Sequence, residues 1–107
     1  MVLRYEELER IKHEASRKVK MDAALGAVEK NISLIEHALS IGRPKDCQLE
    51  CERTMRQMKE VSTRLLPRKP EFLCKILHFK GLALSKLKNY DSAIESFQQE
   101  LQIATDK

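Results

Sequence analysis

The chain predicts an all-α fold, and three observations carry the prediction. Apolar residues recur at steps of three and four along nearly its whole length, the repeat of helices with one buried side. Gly 3 and Pro 3 leave few turns, and Tyr 2, Phe 3 and no Trp leave few strand-forming aromatics. Hydrophobic residues are 42% and charged residues 34% of the 107. That is too apolar for a disordered chain, and a length that fits one domain.

The first predicted helix runs from Tyr5 to Val19, with Tyr5, Leu8, Ile11, Ala15 and Val19 as a narrow apolar stripe. Asp22 is suited to cap a second helix, in which Leu25, Val28, Ile32, Ile35 and Leu39 repeat and Ala24, Ala27, Leu34, Ala38 and Ile41 widen the face. No strong breaker separates Lys18 from Asp22, so one continuous helix is equally consistent. Gly42 stops this segment, Pro44 opens a third helix, and Asp46 favours its N-terminus. Cys47, Cys51, Met55, Met58, Val61 and Leu65 line one side of it, until Leu66-Pro67-Arg68-Lys69-Pro70 ends it. Pro70 begins a fourth helix, striped by Leu73, Ile76, Leu77, Leu84 and Leu87 and again by Phe72, Phe79, Leu82 and Ala83. Gly81 in its middle costs about 1 kcal/mol relative to Ala, which predicts close approach of another helix. Lys88-Asn89 make a turn, and a fifth helix from Tyr90 to about Thr105 places Ala93, Ile94, Phe97, Leu101 and Ala104 on one face.

The motif Leu77-x-x-x-Gly81-x-x-Leu84, followed by Asn89-Tyr90-x-x-Ala93-Ile94-x-x-Phe97-x-x-x-Leu101, resembles one tetratricopeptide repeat. The resemblance covers Glu71 to Thr105. Gly81 and Ala93 match the family's two small packing positions, Leu77 a large one, and Tyr90 and Phe97 its aromatic ones. Glu100, where a small residue is common, and the lack of a proline after Leu101 depart from the pattern. The resemblance implies antiparallel hairpins stacked as a short α-solenoid of about five helices: a degenerate hairpin region over residues 1–66 and the repeat-like pair over 67–107. It also implies a protein–protein scaffold or adaptor that binds a partner helix or peptide, with the binding face drawn from the fourth helix at Lys75, His78 and Leu82. The family's chaperone carboxylate clamps carry Lys three positions before the Gly and Asn directly after it. His78 and Leu82 stand there and cannot make the charge-assisted bonds to a carboxylate. The order of irregular helices, basic proline-containing link, repeat and a Glu-Leu-Gln-Ile-Ala ending is similar to tetratricopeptide proteins of the ciliary outer dynein arm docking complex. That likeness implies coiled-coil or axonemal partners and a cytoplasmic, ciliary location.

Charge adds a second candidate contact. Of the formal net charge of +4, most falls between Arg43 and Lys69, where 8 basic residues face 4 acidic ones. Arg64, Arg68 and Lys69 are predicted to steer an acidic partner. Nucleic acid is the weaker expectation, since no aromatic residue interleaves with these cations for base stacking. Cys47, Cys51 and Cys74 match no disulfide scaffold, and with no secretory signal they read as reduced thiols in a cytosolic compartment, Cys47 and Cys51 as part of the core. They could share a metal only with widely scattered histidines, so no metal or cofactor is expected. No stretch approaches about 18 consecutive apolar residues, so no membrane span is expected. No P-loop, G-x-S-x-G, G-x-G-x-x-G or H-E-x-x-H motif is present, and no enzyme is expected. Homodimerisation through the Leu8, Ile11, Ala15 and Val19 stripe is the rival to a heteromeric scaffold.

Overall fold

The computed structural model describes residues 4–105. They form four helices: α1 (Tyr5–Ser40), α2 (Pro44–Lys59), α3 (Lys69–Lys86) and α4 (Tyr90–Thr105), and among the described residues there is no strand. α1 packs on α2, α2 on α3 and α3 on α4, and α3 also reaches back to α1. α4 touches neither α1 nor α2 along its backbone. The chain is therefore two consecutive helical hairpins, with α3 seated against both helices of the first.

Four helices replace the five expected, because the first two are one. Nothing from Lys18 to Asp22 removes a backbone donor or demands an irregular dihedral, so the i→i−4 ladder runs through. Asp22 lies exposed inside α1 and caps nothing. The merger explains the two apolar stripes. About two and a half turns separate Val19 from Val28, and about seven and a half separate Leu8 from Ile35. The stripes therefore lie on opposite sides of one rod. Val28, Ile32, Ile35 and Ala38 are buried in the core. Tyr5, Leu8, Ile11 and Val19 are all exposed. This N-terminal arm gives the molecule its 67 Å long axis, and its 18.0 Å radius of gyration compares with about 13 Å for a compact chain of this length.

α1 ends as the sequence predicts. Gly42 adopts φ 76°, Arg43 N–H bonds Ala38 O at 2.9 Å and Gly42 N–H bonds Leu39 O at 3.2 Å. This is the Schellman arrangement that a residue without Cβ accepts freely. The α3–α4 turn repeats it with a strained residue. Lys88 takes φ 63°, with Asn89 N–H on Leu84 O at 2.9 Å and Lys88 N–H on Ser85 O at 3.0 Å.

α2 ends at Lys59, earlier than the Leu65–Leu66 boundary expected from Pro67. Val61 and Leu65 therefore leave the helical stripe and sit half-buried in a loop. The loop is held from both sides. Leu66 is 1% exposed, and the Lys69 ammonium donates to Val61 O at 2.8 Å. Burying such aliphatic side chains contributes roughly 1.5–3 kcal/mol each, so Leu66 is a strong anchor for a loop without regular structure.

The core joins Val28, Ile32, Ile35 and Ala38 of α1 to Cys47, Cys51 and Met58 of α2, Leu66, and Phe72, Ile76 and Ala83 of α3. Thr54, also buried, is satisfied by donating its hydroxyl to Glu50 O at 2.8 Å. The face of α4 differs from the predicted one. Ala93 and Ser96 are buried and Phe97, Glu100 and Ile103 half-buried, whereas Tyr90, Ile94 and Leu101 are exposed. α3 is the single neighbour of α4 among the described elements, so only the side turned to it closes.

Candidate functional site

α3 is the floor on which two surfaces meet. On one side, α2 and α4 flank it with their backbones apart and leave a groove along its length. One end of that groove is apolar, a cleft of about 350 Å³. Leu73 and Leu77 form its base, with Met55 and Lys59 on the α2 wall and Gln102 and Ile103 on the α4 wall. Leu77 is 1% exposed, and Leu73, Met55 and Ile103 are half-buried. The spacing Lys69, Leu73, Leu77 puts these residues on one line of α3 by the i, i+4 rule. The other end is polar and smaller, about 130 Å³, with Lys80 and Glu52 paired across it at 3.9 Å.

The predicted binding residues of α3 lie along a different line. Lys75 reaches α1, with its ammonium 3.7 Å from the Glu36 carboxylate. His78 reaches α4, with Nδ1 3.4 Å from the Glu100 carboxylate and its ring near those of Phe79 and Phe97. Leu82 is half-buried. Lys75 and His78 thus already hold carboxylates of their own chain. Glu100, the departure from the repeat pattern, is the partner of His78, and its backbone carbonyl accepts from the Cys74 thiol at 3.6 Å.

The three cations of the link are separated. Arg68 donates to Glu71 at 2.9 Å and lies over the Phe72 ring, 5.4 Å from its centre. Lys69 holds the Val61 carbonyl. Arg64 and Arg68 line two different clefts against α1, Arg64 beside Arg17 and Lys20 and Arg68 beside Met21 and Leu25.

The repeat positions come together around one contact. A Cβ built on Gly81 would stand 2.5 Å from Phe97 Cε1 and 2.6 Å from Cζ, so the ring occupies the place of the missing side chain. Leu77 and Ala93 are buried beside it, while Tyr90 is exposed. The methionines divide: Met58 is 1% exposed and belongs to the core, whereas Met55 lines the apolar cleft. From the sequence, Met55 and Met58 suit an adaptable groove less well than core filling, Lys59 belongs to a basic outer face, and Leu73, Gln102 and Ile103 carry no binding signal. The cleft that Met55 shares with Lys59, Leu73, Gln102 and Ile103 exists because α2 and α4 stand apart, which no spacing within one helix encodes.

Cys47 and Cys51 are both fully buried, and Cys47 donates weakly to Phe79 O at 3.9 Å. A hydrogen bond with Cys47, reinforced by burial, pushes the Cys51 thiol well above the usual range, so it stays protonated. Among the described residues, no group of three or more His, Cys, Asp or Glu is placed to hold a metal ion, and no helix is long and apolar enough to cross a membrane. Comparison with known protein families, with curated protein sequences and with solved structures gave no match to this chain.

Proposed function

We propose that the chain is a non-catalytic protein–protein interaction module of the tetratricopeptide kind. In this reading it holds an amphipathic helix or extended segment of a partner within a larger assembly. The observation that carries the reading is the apolar cleft over Leu73 and Leu77, open between two helices whose backbones stay apart. Its volume of about 350 Å³ suits one large apolar side chain of a partner, a common anchor for peptide recognition. Lys59 at the rim, exposed, favours an acidic residue beside that anchor. The Lys75, His78 and Leu82 line is the secondary contact, since a partner there must first displace Glu36 or Glu100.

The test is site-specific photocrosslinking from Gln102 at the cleft and from Tyr90 on the far side of α4. A partner captured from Gln102, and lost on Ile103→Asp with the melting temperature unchanged, supports the cleft. Equal capture from both positions, or capture that survives Ile103→Asp, overturns it. The axonemal form of the reading rests on the sequence likeness, and it predicts that a tagged chain lines the axoneme of ciliated cells. A uniformly cytosolic signal sinks that part.

A second reading is self-association through the arm. It is favoured by the exposure of Tyr5 at 74% and Val19 at 67%, on the side of α1 that its own core cannot reach.

A further inference from the structure

Six Lys and Arg side chains among the described residues meet a carboxylate. Lys12 meets Glu9, Arg43 meets Asp46, Arg53 meets Glu50, Arg68 meets Glu71, Lys75 meets Glu36 and Lys80 meets Glu52. Arg17, Lys20 and Arg64 are among the cations that meet none, and they are distinguished by where they stand. They share one cleft of about 560 Å³ between α1 and the α2–α3 loop, together with His13, Ser16 and Ser62. No carboxylate lines that cleft, and none of the three cations has an ion-pair partner among the described residues.

The arrangement is built into the fold. Positions 13, 16, 17 and 20 share one helix face by the i, i+3, i+4, i+7 rule. That face lies beside the loop because α1 continues unbroken past the core. The loop holds Arg64 in place: Leu65 and Leu66 N–H groups both bond Ser62 O at 3.1 Å, Leu66 is buried, and Lys69 ties Val61. Three like charges around one cleft repel one another, and a multivalent anion between them relieves that repulsion.

We propose that this cleft binds a phosphate monoester borne by a phosphorylated side chain of a partner protein. A phosphoryl group brings about −1.5 to −2 charge and three strong acceptor oxygens. Two guanidinium forks, one ammonium and two serine hydroxyls match that demand. A carboxylate brings one charge and two oxygens, and leaves part of the donor set unused. A nucleic-acid backbone is a poorer fit, because its next phosphates would run along an arm carrying Glu6, Glu7, Glu9 and Glu14, and no aromatic side chain lines the cleft for a base to stack on. A bilayer headgroup layer would meet the same glutamates. The site is separate from the α2–α4 cleft and does not depend on it.

The test is a ¹H–¹⁵N NMR titration of the whole chain with capped O-phosphoserine, using capped glutamate as control. The expected result is saturable shifts confined to residues near 13–20 and 62–66, with phosphoserine binding about tenfold or more tighter than glutamate. Arg17→Gln and Arg64→Gln should each weaken it about tenfold, and Lys12→Gln should leave it unchanged. Both arginines are exposed, so a circular dichroism melt identical to the parent's verifies the fold of each variant. Equal affinity for glutamate, absence of saturable shifts, or full binding by the Arg17→Gln/Arg64→Gln double variant overturns the proposal. So does tighter binding to phosphoinositide vesicles or to a single-stranded oligonucleotide than to phosphoserine.

Discussion

The Phe97 ring fills the space where Gly81 has no side chain, with three of its ring atoms 2.5–2.9 Å from where a Cβ would stand. Helix propensity alone makes Gly81→Ala stabilising by about 1 kcal/mol. The ring opposes it, and displacing an aromatic in a packed contact costs about 1–3 kcal/mol. Gly81→Ala should therefore lower the unfolding free energy, and Gly81→Leu should lower it further. Adding Phe97→Leu to Gly81→Ala should recover part of the loss, while either change beside an unaffected urea midpoint sinks the contact.

Lys88 is the only described residue other than glycine with positive φ. A side chain in that conformation costs about 1–2 kcal/mol. Lys88→Gly should raise stability by roughly 0.5–1 kcal/mol, less than the full strain because glycine loses more freedom on folding. Gly42→Ala, at the equivalent turn of the first hairpin, should lower it. Paired chemical denaturation of the two variants checks the opposite signs.

Ile11 is 46% exposed on the side of α1 turned from the core. Ile11→Glu should leave the unfolding free energy of the dilute chain within about 0.5 kcal/mol of the parent's. Sedimentation at high concentration is the companion measurement. A fall in mass on Ile11→Glu at unchanged melting identifies the arm as a self-contact, and a large loss of stability means the stripe is packed in the folded chain.

Lys59 and Lys69 stand on the same cleft and should behave differently. Lys69 donates a charged hydrogen bond to the Val61 carbonyl, and Lys69→Met should cost about 1–2 kcal/mol, its half-exposure reducing the effect. Lys59→Met should be nearly neutral in stability and weaken partner capture. Equal melting of both variants would show that the loop does not rely on Lys69.

Cys47 and Cys51 are fully buried, and Cys74 is half-buried. A thiol reagent should therefore leave Cys47 and Cys51 unmodified in the native chain and reach all three in denaturant. Rapid native labelling of Cys51 would show that the α2 core opens.

Local chemistry was legible in the sequence where a residue's requirement is intrinsic. Gly42 and Pro44 mark their own turn, Pro70 opens α3, and the period of Val28, Ile32 and Ile35 names the buried side of α1. Relations between distant segments were not. Asp22 looks like a cap because its chemistry suits one, yet capping needs a broken ladder and nothing nearby breaks it. Leu65 continues the α2 stripe in spacing, but the chain had already left the helix at Lys59. Ile94 and Leu101 are as apolar as core residues, and only the number of neighbours around α4 decides their exposure. Arg64 was grouped with Arg68 and Lys69 by adjacency, whereas the fold groups it with Arg17 and Lys20.

The unbroken course of α1 also sets an angular phase. A helix transmits rotation rigidly, so the outward stripe of the arm and the inward stripe of the core keep a fixed half-turn relation. One residue inserted between Val19 and Ala24 would turn the arm by about 100° against the body and shift it by about 1.5 Å, carrying Arg17 and Lys20 away from Arg64 while Val28, Ile32 and Ile35 keep their places. The segment between the two stripes is in this sense a dial: its length fixes the direction in which Leu8 and Ile11 point.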